Sequence, residues 1–309
     1  MASVIAFGEV FVDADFTDYG KPFLHLGGAC ANMISNISLL GGKTGIIVKL
    51  KDDIIGNYII QQLEMYGVET GAIIHCSDEN LVNVLNVVDR SNMSSRFITY
   101  SANCANDTLH IDEINFSLLS QFDVFHFGSH SLTLRSVDTL NSCLSYAKRH
   151  RIMISYDVNY RDGLWRSRDI AVSTIRKYVD MADIIHMNKK EALIYSDTEN
   201  FDYAIRYIEE TCINKTVLIT DSHNGVIALS NIGVKHLKCP AVNSLDTTGA
   251  GDAFCAYFLD RFDSRNCENG SIFRICESAT IIASLSTKYI GTVEAFKSAL
   301  RDYKREYTP

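Results

Sequence analysis

Hydrophobic positions along the chain fall into two kinds of run. Val4-Ile5-Ala6-Phe7-Gly8-Glu9-Val10 is apolar and β-prone almost throughout, the pattern of a strand buried on both faces, and Phe11-Val12-Asp13 is expected to carry it on toward the surface. After a turn-rich piece, Leu26-Gly27-Gly28-Ala29-Cys30-Ala31-Asn32 leads into helical spacing through Ile34, Ile37 and Leu40, stopped by Gly41-Gly42. A strand at 45–50, a turn at Lys51-Asp52-Asp53 and a helix at 54–66 ending on Gly67 make the next unit.

Between 81 and 100 the spacing shortens to two β-like pieces, 81–88 and 96–100, parted by polar residues as in a hairpin outside the main wind. With 10–24 they are expected to form a small sheet. From 112 onward the alternation is regular. Strands at 123–127, 152–157, 183–187 and 217–220 are separated by helices at 137–150, 168–178 and then 189–196 with 201–211, and a β-like pair follows at 225–229 and 234–237. A helix opens near 250, and an amphipathic one from about Val293, with Phe296, Leu300 and Tyr303 at helical spacing, ends the chain.

Strand, helix, strand at these lengths implies a mostly parallel sheet covered by helices on both faces, with ligands beyond the carboxyl ends of its strands. Polar residues gather at those ends: Asp157, Asn159 and Arg161 after one strand, Asn188 and Glu191 after the next, Thr220 at the close of the third. No repeat or proline-rich linker divides the chain, so 1–309 reads as a single domain with a small β subdomain from approximately 10–26 and 80–106.

Composition narrows the partners. With 47% hydrophobic and 21% charged residues over 309, a sizeable globular core is available. The net charge of -8 and the lack of a basic block argue against nucleic acid, so any phosphate is expected to be held by local geometry. None of the nine cysteines stands in C-x-x-C and several sit in apolar runs, which reads as reduced core thiols. No apolar stretch approaches ~18 residues and no charged-then-apolar leader opens the chain, so no membrane partner and a cytoplasmic location are expected.

The chemistry concentrates in Asp246-Thr247-Thr248-Gly249-Ala250-Gly251-Asp252. Two glycines let the backbone approach a ligand, and the first N–H groups of the helix that follows have no partner within it, which makes an anion site. A carboxylate beside a phosphate cradle repels the ligand unless its task is chemical, so Asp252 reads as a group that takes a proton from an attacking hydroxyl, or else as a plain helix cap. The third glycine of a dinucleotide fingerprint would fall at Phe254, and Gly42-Lys43-Thr44 lacks the earlier glycine of a P-loop because Ile37 stands there. His126 and His130, parted by Gly128, do not read as one helical metal pair.

The 246–252 run resembles the C-terminal signature of the ribokinase-like (phosphofructokinase-B) carbohydrate kinases, and Asp13 with Gly27-Gly28 and Asn32 resembles the N-terminal one. Ser155-Tyr156-Asp157-Val158-Asn159-Tyr160-Arg161, with Trp165 behind it, resembles the Asp-Pro-Asn-x-Arg…Leu-Trp stretch of the fructokinase branch, and Asn188-Lys189-Lys190-Glu191 the family's Asn-x-x-Glu. The resemblance covers nearly the whole chain. It implies a ribokinase-like α/β fold, a doubly wound, mostly parallel sheet with helices on both faces and a small β-sheet lid that often serves as a homodimer contact. It also implies transfer of the ATP γ-phosphoryl group to a sugar hydroxyl, fructose first, with 2-keto-3-deoxygluconate, ribose or a nucleoside as other acceptors. A sugar- or nucleotide-binding protein with weak catalysis is the reading from another class.

Carried over residue by residue, the resemblance implies Asp252 as the catalytic carboxylate and Gly249, Ala250 and Gly251 as its N–H cradle. Asp13, Gly27, Gly28, Asn32, Asp157 and Arg161 fall on the sugar, with Arg96 a further candidate there. Asn188, Thr220, Ser222 and Gly225 fall on the nucleotide, Glu191 on Mg²⁺ through water, and Asp246 and Thr248 near a monovalent cation such as K⁺. Each also has a plain structural alternative: turns for Gly27-Gly28, Asp157 and Asn159, a cap with a first-turn carboxylate for Asn188 and Glu191, an exposed strand edge for Arg96. Lys51, Ser101, Val158 and Ser222 depart from the family's usual Gly, Arg, Pro and Gly.

Overall fold

The computed structural model describes residues 3–15, 23–89, 96–100, 103–262 and 271–307, at 88–89 and 96–100 through the backbone alone. The strands are β1 (Ser3–Phe7), β2 (Phe11–Asp15), β3 (Phe23–Gly27), β4 (Lys43–Lys51), β5 (Ile73–Cys76), β6 (Leu85–Asp89), β7 (Arg96–Tyr100), β8 (Val124–Gly128), β9 (Met153–Asp157), β10 (Ile184–Asn188), β11 (Thr216–Thr220), β12 (Val226–Ser230) and β13 (Gly233–Leu237). The helices are α1 (Ala29–Leu39), α2 (Ile54–Met65), the single turn α3 (Phe116–Leu119), α4 (Val137–His150), α5 (Arg168–Met181), α6 (Lys189–Ser196), α7 (Phe201–Thr211), α8 (Ala250–Arg261), α9 (Ser271–Ser286) and α10 (Val293–Glu306).

One sheet runs β13-β12-β11-β10-β9-β8-β1-β4-β5, parallel except for the antiparallel pairs at β12 and β13. The second sheet has four strands in the order β3-β2-β6-β7. Alternate residues of β1 face opposite cores, as a strand buried on both sides requires. Ile5 and Phe7 belong to the same core as Leu140, Ile175 and Val179, whereas Val4 and Ala6 belong to the core that holds Ile34, Phe254 and Phe258. Phe7, Phe125 and Phe127 are fully buried, each adding about 1.5–3 kcal/mol of apolar burial.

Phe11–Asp13 does not continue the first strand. The chain leaves the large sheet at residues 8–10 and enters β2 of the small one, and at this break Cys30 fills the space above Gly8 and Gly28 packs against the Glu9 carbonyl. Both sheets bury an apolar face, so the hydrophobic run carries across the break: Val12 and Ala14 are as buried as Val4. β6 starts at Leu85 rather than at 81, with Val82 in an isolated bridge to Cys104. β5 and α9 have no counterpart in the expected series; β5 is only four residues long, and α9 mixes small polar with apolar side chains.

Cys30, Cys143, Cys212, Cys255 and Cys276 are free and buried. Among the described residues no helix is long and apolar enough to cross a membrane.

Candidate functional site

Five parallel strands, β1, β8, β9, β10 and β11, end at one edge of the large sheet, and α1 and α8 start there. Both helices begin on a glycine with positive φ, 100° at Gly28 and 76° at Gly249, and neither has a side-chain cap. The contrast with α2, α5, α6 and α7, capped by Asp53, Ser167, Asn188 and Asn200, is informative. Helix ends whose N–H groups are left to no side chain face the place where a ligand would supply the acceptors. Neither glycine has room for a side chain, since a Cβ would stand 2.5 Å from the Glu9 carbonyl oxygen at Gly28 and 2.9 Å from Thr292 Cγ2 at Gly249. Within the cradle, the Ala250 N–H turns back to the Thr247 carbonyl at 3.3 Å and the first bond within α8 runs from Ala253 to Gly249. Gly251 and Asp252 therefore carry the N–H groups that helix geometry aims outward.

Asp252 is oriented from the far end of the sequence. Asn32 Nδ2 donates to its Oδ2 at 2.9 Å, and the Thr292 hydroxyl donates to Asn32 Oδ1 at 3.1 Å, so a side chain from α1 holds the carboxylate and a loop residue holds that side chain. Burial raises the Asp252 pKa to about 7, with Asp157 and Glu9 adding to the rise and Asn32 and Arg161 opposing it. A carboxyl poised near neutrality suits proton acceptance.

Asp157 lies behind this carboxylate. Its Oδ1 is 2.9 Å from His186 Nδ1, while His186 Nε2 is 3.4 Å from the Thr220 hydroxyl and its ring stacks on Phe254 at 5.7 Å. Burial favours the neutral Asp157, but His186, His126 and Arg161 hold its pKa below the usual value. Burial likewise opposes a charged His186, yet Cys255 and Asp157 keep its pKa well above the ordinary one, so the two form an ion pair. Asp157, His186 and Cys255 offer ligand atoms within 4.8 Å of one another, all buried. Asp157 thus meets a histidine through one of its two carboxylate oxygens.

The other expected residues sort by what they touch. Arg161 is exposed, with Nη1 donating to the Tyr160 carbonyl at 3.2 Å. Arg96 lies on β7, its side chain outside the described residues. Asp13 accepts from Asn86 Nδ2 at 2.9 Å on the small sheet, and Gly27 beside it leaves no space for a Cβ against that carboxylate. Glu191 closes a capping box with Asn188 and accepts the Tyr160 N–H at 2.8 Å, which is the cap arrangement expected as its plain alternative. Burial and Asp157 raise its pKa to about 7. Each of its oxygens has a second lone pair, so a water can still bridge it to a cation.

Thr220, Ser222 and Gly225 share the β11–β12 turn, where the Gly225 N–H donates to the Ser222 carbonyl at 3.2 Å. Ser222 has φ 49°, which explains why glycine suits that position. Val158 departs from proline for a visible reason, since its N–H donates to the His186 carbonyl at 2.9 Å. Asp246 accepts from the Thr248 N–H at 2.9 Å and the Gly291 N–H at 3.2 Å, tying the signature to the loop that carries Thr292.

Asn86, His186 and Thr292, which bond Asp13, Asp157 and Asn32, and Glu9 and His130, which follow β1 and β8, carried no functional assignment from the sequence. Glu9 and His130 follow strand ends, so the carboxyl-edge rule would have found them; Thr292 has no local signature. A cleft between Lys148, Arg151 and Lys215 opens at the opposite end of the strands and holds none of these groups.

The family described as "pfkB family carbohydrate kinase" matches residues 1–299. A probable fructokinase-5 of Arabidopsis thaliana is 30% identical over 83% of this chain and 81% of its own length, and a fructokinase-1 of Zea mays is 31% identical over 84% and 82%. The fructokinase of Vibrio cholerae O395, solved with fructose, ADP and calcium, superposes with a TM-score of 0.85 at 22% identity, covering 98% of this chain and 99% of that one.

Proposed function

The chain belongs to the pfkB family of carbohydrate kinases, and from that membership we propose that it transfers the γ-phosphoryl group of ATP to a hydroxyl of fructose. One observation carries the chemistry: the Asp252 carboxylate, fixed by Asn32, stands in the first turn of a helix that no side chain caps. Asp252 orients the acceptor hydroxyl and takes its proton, while the Gly251 and Asp252 N–H groups and the positive end of α8 face the charge that develops on the moving phosphoryl. Such transition states are mostly loose, so positioning and charge stabilisation outweigh base strength.

ATP, Mg²⁺ and fructose belong to the proposal. Fructose is supported by the curated relatives named above, and the nucleotide by the ADP seen in the Vibrio cholerae enzyme. Thr220, Ser222, Gly225 and Asn188 border the nucleotide in this reading, and Asp13, Gly27, Gly28 and Asn32 the sugar. A hydrated divalent ion, which when bound offsets phosphate charge, fits the sparse oxygen set at Glu191 better than a dense carboxylate cage would. Asp246 and Thr248 are the proposed monovalent-cation residues, testable by potassium titration. The small sheet is proposed as the lid and as a homodimer contact, for which Phe23 and Leu24, exposed on its edge strand β3, offer apolar surface.

Ser101, standing where the fructokinase resemblance leads to arginine, favours a second reading in which the same machinery serves another acceptor, 2-keto-3-deoxygluconate, ribose or a nucleoside. ADP release with Mg-ATP across fructose, ribose, 2-keto-3-deoxygluconate, glucose and adenosine separates the two, with Asp252→Asn as the control. Turnover on fructose that the variant loses supports the first reading, and turnover on another member moves the acceptor. Silence on the whole panel with tight sugar binding would replace both with a binding protein.

A further inference from the structure

Two side chains at the same edge take no part in the chemistry described so far. Glu9 follows β1 and His130 follows β8, adjacent parallel strands at the centre of the large sheet. Glu9 is 5% exposed, and among the described residues its Oε2 has no hydrogen-bond partner; His130 Nδ1 is buried and equally without one among them. The two atoms stand 3.9 Å apart. That is within ion-pair range but too long for a hydrogen bond between them, and a carboxylate oxygen out of water without a hydrogen bond is costly.

The spacing fits a third atom. Two groups that each sit about 2.8 Å from one hydroxyl oxygen stand roughly 4.6 Å apart at a tetrahedral angle and roughly 4 Å apart when the angle closes to about 90°, so the spacing admits a bent, shared contact. A hydroxyl also has the right chemistry, since it donates to a carboxylate and accepts from an imidazole N–H at once. The surroundings belong to the acceptor side of the site. The Glu9 backbone packs against Gly28 at the start of α1, and Phe11 of β2 meets the His130 ring edge-on at 5.6 Å. The charge of Glu9 reaches Asp252, whose pKa it helps to raise. Asn86, which donates to Asp13, keeps a buried Oδ1 that has no partner among the described residues, a second acceptor in want of a donor beside a residue read as sugar-binding. Spare acceptors call for a ligand rich in hydroxyl donors.

We propose that Glu9 and His130 clasp one hydroxyl of the acceptor sugar, which donates to Glu9 Oε2 and accepts from the His130 Nδ1 proton. This rests on the sugar-kinase reading and adds to it a pair that selects and orients the acceptor, separate from the carboxylate that takes the proton.

Steady-state kinetics test it, using the acceptor that the wild type turns over best and its singly deoxygenated analogues. The proteins are the wild type, Glu9→Gln, which keeps the shape, and His130→Phe, whose position is partly exposed and which serves should the first variant not fold. In both variants KM for the parent sugar rises roughly ten- to a hundredfold while KM for ATP stays put. One deoxy analogue loses at least about tenfold in kcat/KM on the wild type and loses nothing further on the variants. Variants with the wild-type sugar KM, or variants that penalise every deoxy analogue as the wild type does, would overturn the clasp and point to a trapped water between the two groups. A wild type that turns over no sugar at all would overturn the kinase reading and the clasp together, a result distinct from an active enzyme whose variants match it.

Discussion

Asn32 Nδ2 donates to Asp252 Oδ2 at 2.9 Å across a separation of 220 residues, joining the first turns of two glycine-started helices. The bond has two consequences. It fixes the direction of the carboxylate, and it works against the burial that raises the Asp252 pKa.

Asn32→Ala should therefore change both rate and pH dependence. Losing a hydrogen bond to a charged group costs about 1.5–3 kcal/mol, so kcat/KM at neutral pH falls roughly 10- to 100-fold. Asp252 must be ionised to accept a proton, and with its lowering partner gone its pKa climbs further, so the acid limb of the kcat/KM profile moves to higher pH. An acid limb that stays in place would show that Asn32 does not act through Asp252.

Asp157→Asn should shift the same limb the other way. The Asp157 charge raises the pKa of both Asp252 and Glu191, so a neutral amide lets both fall and the enzyme keeps its activity to lower pH. His186 loses its partner and becomes easier to deprotonate, which NMR titration of the ring would register independently.

Gly249→Ala reaches the site through a chain of contacts. The added methyl would press on Thr292, whose hydroxyl holds Asn32, which in turn holds Asp252. With φ at 76°, alanine also sits in strained backbone, a cost of about 1–2 kcal/mol. Melting should fall by a few degrees while kcat falls much further; equal small losses in both would deny the relay.

These relationships mark how far residue patterns reach. The strands and helices from residue 123 to 261 were legible because a strand buried on both faces and an amphipathic helix have different periods, whereas α9, which mixes small polar with apolar side chains, shows neither cleanly. The cradle at 246–252 was legible because its whole seven-residue run resembles a kinase signature, where glycines before a helix start would alone read as well as a plain cap. The break after β1 was not, since Phe11 to Asp15 keeps its apolar alternation while changing sheets. Asp157 read as a residue aimed at a ligand because it ends a strand, and only the placement of β10 beside β9 reveals the histidine that claims it. Glu191 reads the same either way, as a cap or as an oxygen for a hydrated ion, because one carboxylate can serve both.

Asp252 should be a burden on the fold that produces the reaction. Its pKa in the folded protein is about 7, above the roughly 3.9 of a solvated aspartate, so folding takes up a proton between these values. Below about pH 4 both states are protonated and the group costs nothing; as pH rises toward 7 the penalty grows, and above 7 it is fully present. The full displacement corresponds to about 4 kcal/mol, but Asp252 keeps part of its surface open to water, which brings the expected cost down to about 1–2 kcal/mol. Asp252→Asn removes the titration while still offering an oxygen to Asn32. The variant should thus unfold at higher denaturant concentration than the wild type at pH 8, with the gap closing near pH 4, even as it loses most turnover. A variant no more stable than the wild type at pH 8 would mean that the carboxylate is solvated well enough to ionise at its ordinary pKa, and the acid limb of the wild-type rate profile would then have to lie well below neutrality.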